Sequence, residues 1–195
     1  MKELYPTTLN FSTLYAHPLI SSEQLEQIKA AHRKVSFKKG DFILQKGEVS
    51  KSYFALQSGI ARSFVHDYEG NDITTGFFCE QEFVINELSL FKQEPSLENI
   101  VALTDCIAWE ISFEDFQLLY HSIAGVSEWG RLFMTEKLFQ TQQRSLEMIT
   151  FPAKDRYLQF LKDKPQVIQS VPLKYIATYL GITDTSLSRI RKEVW

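Results

Sequence analysis

Residues 172–195, which read PLKYIATYLGITDTSLSRIRKEVW, constrain the fold more than any other stretch of the chain. Small Ala177 lies where two helices would cross, and Gly181 lies where the chain must turn sharply through positive φ. Apolar residues fall at the positions that a helix-turn-helix buries: Ile176, Leu180, Ile182, Leu187 and Ile190. The spacing predicts a helix-turn-helix, although an ordinary pair of antiparallel helices would bury a similar pattern.

Charge is divided unevenly along the chain and favours the first of these two interpretations. Residues 1–150 contain 13 Lys and Arg against 20 Asp and Glu, a net charge of −7. Residues 151–195 contain 8 against 4, a net charge of +4. A basic segment that carries the motif suits contact with phosphates, whereas an acidic remainder is repelled by them. The pattern indicates a small DNA-binding domain.

The second helix of the motif offers the candidate DNA contacts. Thr183 is a candidate N-cap, and Leu187, Ile190 and Val194 would face inward. The outer face would meet base edges in the major groove. It carries Asp184, Thr185, Ser188, Arg189 and Lys192. Arg189 is the candidate guanine contact, and phosphate contacts are assigned to Thr183, Ser186, Lys174 and Lys192. Each of these side chains could instead be a solvated helix residue.

Short strands and close turns fill much of the region before the motif. Apolar alternation begins at Val35 and continues to Ile111, interrupted by turns such as Lys39-Gly40-Asp41. Strands of this kind indicate a closed or double-layered antiparallel sheet. Helices are predicted to start after Ser21 and after Ser112, where Asp115 completes a capping pattern.

One long helix is predicted between residues 126 and 149, and Pro152 ends it. Leu132, Phe139 and Leu146 recur at the heptad spacing of a helix–helix seam. Together with three neighbours they are interpreted as a dimer interface: Trp129, Leu132, Phe133, Phe139, Leu146 and Ile149. The alternative is that this stripe packs on the chain's own sheet, and the polar run from Gln140 to Arg144 interrupts it.

Enzyme and membrane functions find little support in the sequence. The histidines, His17, His32, His66 and His121, are scattered singly and are interpreted as surface residues, with a lone haem ligand left open. Cys79 and Cys106 are too few for a disulfide framework and are expected to be buried or strand thiols. No apolar run is long enough to cross a bilayer, and the N-terminus lacks the apolar segment of a signal peptide, so a cytoplasmic protein is expected. No cofactor is expected, although a small effector is possible.

Together these segments resemble the Crp/Fnr transcription regulators over nearly the whole chain. The resemblance rests on Lys39-Gly40-Asp41, Gly47-Glu48, Leu56-Gln57-Ser58-Gly59, residues 86–91 (NELSLF) and, most specifically, LKYIATYLGITDTSLSRIRK. The RYLQFL unit that begins at Arg156 is similar to that of small members from Bacteroidetes.

The resemblance implies an α+β fold in three parts. Residues 1–125 would form a cyclic nucleotide-binding-like sensor domain, which is a double-stranded β-helix or jelly roll. Residues 126–150 would form the dimerisation helix and residues 151–195 the helix-turn-helix domain. The implied function is a homodimeric regulator on palindromic double-stranded DNA, with RNA polymerase as a further partner. The alternative is a sensor or adaptor module with the same fold that no longer binds an operator; a metal-dependent cupin-like enzyme is a third, poorly supported class.

The resemblance also implies a small-effector pocket in the roll. Cyclic AMP-binding members hold the ribose with Glu in a Gly-Glu-Leu turn and the phosphate with an Arg-Ser pair. Here Asn86 replaces the Gly, and the phosphate position falls in residues 94–98, which contain no Arg. An acidic, apolar loop would leave the phosphate unpaired, so the effector is expected to differ from cyclic AMP or to be absent. The candidate pocket residues are Asn86, Glu87, Leu88, Ser96, Leu97 and Thr141.

Overall fold

A computed structural model describes residues 8–194 of the chain, in which strands precede a mainly helical C-terminal part. The elements are, in chain order, α1 Phe11–Leu14, α2 Ser22–Ala30, β1 Arg33–Phe37, β2 Phe42–Leu44, β3 Ser52–Ser58, β4 Ala61–His66, β5 Asp72–Phe78, β6 Phe83–Val84, α3 Glu87–Lys92, β7 Asn99–Ala102, β8 Cys106–Ser112, α4 Phe113–Ser122, α5 Ala124–Thr150, α6 Ala153–Asp163, α7 Pro165–Ser170, α8 Leu173–Tyr179 and α9 Asp184–Val194.

The strands form two four-stranded antiparallel sheets, ordered β1-β8-β3-β6 and β2-β7-β4-β5. Inward-facing residues of both sheets, such as Leu56, Ile100 and Ala108, form one buried apolar cluster between the sheets. This arrangement confirms the predicted double-layered roll. Both cysteines are buried, as expected, and burial raises the pKa of the Cys79 thiol to about 11.

An aromatic core joins the roll to the N-terminal helices, α4 and the start of α5. Trp129 of α5 is 8% exposed and donates its Nε1–H to the Leu14 carbonyl at 2.9 Å. His32 is buried in the same region, so its interpretation as a surface residue was wrong. Its Nδ1 donates to the Ile28 carbonyl at 2.7 Å, which leaves Nε2 to accept the Tyr15 hydroxyl at 3.0 Å.

Helix starts follow the predicted capping residues. Ser21 accepts the Gln24 N–H in a complete capping box, and Ser112 accepts the Asp115 N–H at 3.0 Å. The predicted long helix is present as α5, and α6 begins directly after Pro152. The short α7 was not predicted, and the assignment of three domains stays a prediction.

The C-terminal helices α6 to α9 pack around one apolar cluster, to which the roll contributes Ile60, Phe77 and Cys79. Helix α8 lies against β5, which is the outer strand of its sheet. Thr178 of α8 accepts the backbone N–H of Thr74 on β5 at 3.1 Å. The helix therefore covers an edge strand that would otherwise present unpaired backbone groups.

Candidate nucleic-acid interface

Helices α8 and α9 are joined by a tight turn with a glycine at its centre. Gly181 has φ +68°, as the sequence predicted, and the Ile182 N–H reaches the Ala177 carbonyl at 3.0 Å. A Cβ added at Gly181 would lie 2.5 Å from Met148 Cε of α5. Both backbone conformation and close approach therefore favour glycine here.

Thr183 starts α9 as the predicted N-cap. Its hydroxyl accepts the Ser186 N–H at 3.2 Å and lies 3.0 Å from the Ser186 hydroxyl. Leu187 is fully buried one turn later, and Ile176 and Ala177 of α8 are fully buried opposite it. The inner face of α9 is therefore packed against α8, and its other face is exposed to a partner.

The outer face of α9 presents the predicted contact residues together. Asp184, Thr185, Ser188, Arg189 and Lys192 are all exposed. Within residues 8–194, Arg189 has no ion pair or hydrogen bond, so its guanidinium can bind a base edge without breaking another contact. Lys174 is exposed on α8, with its ammonium 4.9 Å from the centre of the Tyr175 ring. The assignment of individual residues to bases or phosphates stays a prediction.

The candidate effector residues meet only in part. Asn86 is buried; it caps α3 and donates its amide to Glu98 Oε2 at 3.1 Å. The buried Ser96 hydroxyl donates to the Glu98 carbonyl at 2.8 Å. Leu88 and Leu97 are exposed, and Glu87 is half-buried in the first turn of α3. Among the described residues, no hydrogen bond joins exposed Thr141 to the other five residues.

The Glu98 carboxylate would repel an anionic effector. Its oxygen lies beside Asn86, at the end of the loop to which the resemblance assigns the phosphate. A phosphate placed there would meet a carboxylate and no arginine, and like charges at short range repel strongly in a partly buried site.

Helix α5 divides its apolar stripe between two surfaces. Trp129 and half-buried Phe133 stack on each other within the aromatic core, with ring centroids 5.3 Å apart. Buried Trp129 packs on the chain's own roll and has little surface left for a dimer contact, whereas the assignment of half-buried Phe133 to a dimer interface stays a prediction. The other four candidates are exposed: Leu132, Phe139, Leu146 and Ile149. Leu138, which the sequence interpretation missed, is exposed beside them.

An apolar groove of about 550 Å³ flanks this helix near Phe91, Phe116 and Leu138. None of the six candidate effector residues is among the residues that line it.

Two negative observations apply to residues 8–194. No group of three or more His, Cys, Asp and Glu residues is arranged to hold a metal ion there. None of the helices in that range is both long and apolar enough to cross a membrane.

Comparison with known proteins finds similarity to a domain model and to a regulator that matches most of the chain. A model of the cyclic nucleotide-binding domain matches residues 34–122. The fumarate and nitrate reduction regulatory protein of Yersinia pestis is 25% identical over 189 residues, covering 91% of this chain and 73% of that protein. The chain is therefore similar to transcription regulators of the Crp/Fnr type.

Solved structures show the same fold as this chain. FixK2 from Bradyrhizobium japonicum superposes with a TM-score of 0.72 at 15% identity, covering 84% of each chain. The c-di-GMP-responsive regulator CLP of Xanthomonas campestris has a TM-score of 0.68 at 18% identity, covering 89% of this chain and 91% of that one. The fold therefore extends across roll, long helix and helix-turn-helix.

Residues that hold the helix-turn-helix motif in place were not predicted from the sequence. Arg144 of α5 and Arg156 of α6 donate to carbonyls of residues 179 and 180, at the end of α8. Arg62 of β4 is 3% exposed, and its guanidinium lies 3.7 Å from the centre of the Tyr175 ring. These partners are far away in sequence, so no local pattern marks them.

Proposed function

We propose that this chain is a member of the Crp/Fnr family and acts as a homodimeric, cytoplasmic DNA-binding transcription regulator that reads a palindromic operator. The observation that carries the proposal is the exposed outer face of α9, on which Arg189 lacks a partner within the described residues. The net charge of +4 on residues 151–195 supplies attraction to phosphates. RNA polymerase is the proposed partner of the bound dimer.

The proposed dimer is joined along α5. Leu138 and Phe139 are 64% and 57% exposed, and Leu146 and Ile149 continue the same exposed side of the helix. A single chain would leave this apolar stripe in water, whereas a symmetric partner would bury it. Two recognition helices related by that symmetry would need a separation of about 34 Å to reach successive major grooves.

Cyclic AMP is not the proposed effector. Asn86 and Glu98 bond each other at the position to which the resemblance assigns the nucleotide phosphate, and residues 94–98 supply no arginine. Calorimetry of the purified protein with cyclic AMP at micromolar concentrations should show no heat of binding. Tight binding at that concentration would contradict this part of the proposal.

Selection of bound sequences from random duplex DNA tests the regulator directly. The full chain should enrich a palindrome with a guanine in each half-site. Arg189→Ala should weaken the preference for that guanine, with a loss of about 1–3 kcal/mol of binding free energy per half-site. Arg33→Ala is the matched control, because Arg33 is an exposed arginine on β1 that bonds Glu110. It should select the same palindrome as the unchanged protein.

Two outcomes would contradict the proposal in different ways. If the unchanged protein enriches no sequence at moderate salt, the adaptor module remains and the regulator is excluded. If Arg189→Ala keeps the full guanine preference, another residue of α9 reads that base.

A further inference from the structure

The last two carbonyl groups of the α8 region find partners outside their own helix. Among the described residues, no backbone N–H donates to the carbonyl of Tyr179 or Leu180. Arg144 of α5 donates Nη2–H to the Tyr179 carbonyl at 3.1 Å, and Arg156 of α6 donates Nη2–H to the Leu180 carbonyl at 2.8 Å. Cations are favoured at a helix C-terminus by the helix dipole, so the two arginines cap the end of α8.

Arg144 binds the roll with the same guanidinium. Its Nη1–H donates to the Thr75 carbonyl of β5 at 2.8 Å, and its Cζ lies 4.1 Å from the centre of the Tyr179 ring. The planar fork therefore joins an edge strand of the roll to the end of α8, while its backbone belongs to α5. Three elements meet at this one side chain.

The turn of the motif is packed directly against the end of α5. Met148 Cε would be 2.5 Å from a Cβ at Gly181, so the turn backbone rests on that side chain. Arg156 also donates Nη1–H to the Phe151 carbonyl at 2.6 Å, in the link between α5 and α6. The orientation of the recognition helix is therefore set relative to α5 and not only relative to the rest of the C-terminal part.

We propose that Arg144 is a positioning residue that fixes the separation of the two recognition helices in the dimer. The inference rests on the proposed function, because a dimer joined along α5 converts the angle between α5 and each motif into a half-site spacing. Loss of the guanidinium releases two carbonyls that belong to different elements. The contacts of Thr74 with Thr178 and of Arg62 with Tyr175 remain, so the motif stays docked but turns more freely.

Operator spacing is the readout that a purely structural role would leave unchanged. Arg144→Met keeps the apolar stem and removes both donors, whereas Arg131→Met is the matched control on the same helix. The Arg131 guanidinium bonds only Glu128 among the described residues. A library of the selected half-sites with varied spacers is offered to each full-length protein.

Arg144→Met should bind the operator with the preferred spacer about tenfold more weakly, because it loses charge-assisted hydrogen bonds. Its spacer preference should broaden or shift by at least one base pair, while the half-site sequence stays the same. Arg131→Met should keep both spacing and affinity. An unchanged spacer preference in Arg144→Met would overturn the inference, whatever happens to affinity.

A distance measurement separates this inference from the proposed function. Spin labels at Tyr68→Cys, on the β4–β5 hairpin, and Ser188→Cys, on α9, report the position of the motif relative to the roll without DNA. Native Cys79 and Cys106 are buried away from the label. Excess unlabelled protein ensures that a dimer carries one labelled chain.

The Arg144→Met distance distribution should be broader than those of the unchanged protein and Arg131→Met. Equal widths would overturn the inference even if no operator is found. Where Arg144→Met does not fold, Arg144→Lys replaces it, because a single ammonium cannot reproduce the fork that reaches both carbonyls. Its distribution should also broaden, and a width equal to that of the unchanged protein would overturn the inference.

Discussion

Two separate features favour glycine at position 181, namely its positive φ and its close approach to Met148. Gly181 and Gly70 both have positive φ, but an added Cβ would meet Met148 only at Gly181 and has open space at Gly70. Gly70→Ala should therefore cost about 1 kcal/mol of unfolding free energy through backbone strain alone. Gly181→Ala should cost roughly 2–3 kcal/mol, because Met148 must also move. Urea unfolding of both variants measures the difference.

Equal losses in the two variants would show that Met148 yields without cost. The double variant Gly181→Ala with Met148→Ala provides the control, since it removes the close approach and keeps the backbone strain. The loss of unfolding free energy in this double variant should be smaller than the sum of the losses in Gly181→Ala and Met148→Ala alone, as is typical of residues in contact.

The buried His32 makes folding depend on pH. Burial lowers its pKa below the ordinary 6.5, and the bond from Nδ1 to Ile28 only partly opposes that effect. In the unfolded chain the ring takes up a proton as pH falls below about 6.5, whereas the folded ring stays neutral. Stability is therefore full above that pH and falls as the pH drops toward the lowered folded pKa, by at most about 1.4 kcal/mol per pH unit.

Urea unfolding between about pH 7.5 and pH 5 tests this contribution. His32→Gln should flatten the fall in unfolding free energy, whereas His66→Gln, at an exposed position, should keep the slope of the unchanged protein. A slope in His32→Gln equal to that of the unchanged protein would show that His32 contributes nothing.

At the scale of elements, local chemistry was readable from the sequence. The N-caps Ser21, Ser112 and Thr183 and the glycine of the turn act through neighbours within a few residues, and each is present as predicted. The roll was also predicted, because apolar alternation reports which face of a strand is buried.

Contacts between distant elements were not readable in the same way. Trp129 fits a heptad stripe equally well whether its partner is a second helix or the chain's own roll, and only the fold shows that it packs on the roll. Thr74 and Thr178 are 104 residues apart, and Arg144 and Tyr179 are 35 apart, so no periodic signal connects them. Helix α7 has six residues, too few to build a recognisable apolar pattern.

Ion pairs lie where the acidic roll meets the C-terminal helices. Lys164, which precedes α7, forms an ion pair with Glu82 of the roll, and buried Arg62 pairs with Asp72 beneath α8. Lys164 therefore brings one positive charge of the C-terminal region to the acidic roll, whereas Arg62 and Asp72 both belong to the roll. Arg189 and Lys192 of α9 are exposed, so their charges are available to phosphates.

We expect two copies of the chain to dimerise along α5. Leu146 is 56% exposed on α5, whereas Leu118 is 69% exposed on α4 and outside the proposed seam. Leu146→Glu removes apolar burial from both copies and places two carboxylates in the seam. The dissociation constant of the dimer should therefore rise at least about a hundredfold. Leu118→Glu introduces the same charge at a similar exposure and should leave the dimer unchanged.

Sedimentation velocity over a range of protein concentrations measures the monomer–dimer equilibrium of both variants. The operator affinity of Leu146→Glu should fall with its dimer fraction, because each monomer reaches only one half-site. Binding to a single half-site should survive, because the substitution is in α5 and the proposed DNA contacts are in α9. A dimer of undiminished strength in Leu146→Glu would place the interface on another face of the molecule, and the spacing argument for Arg144 would then have to be rebuilt on that face.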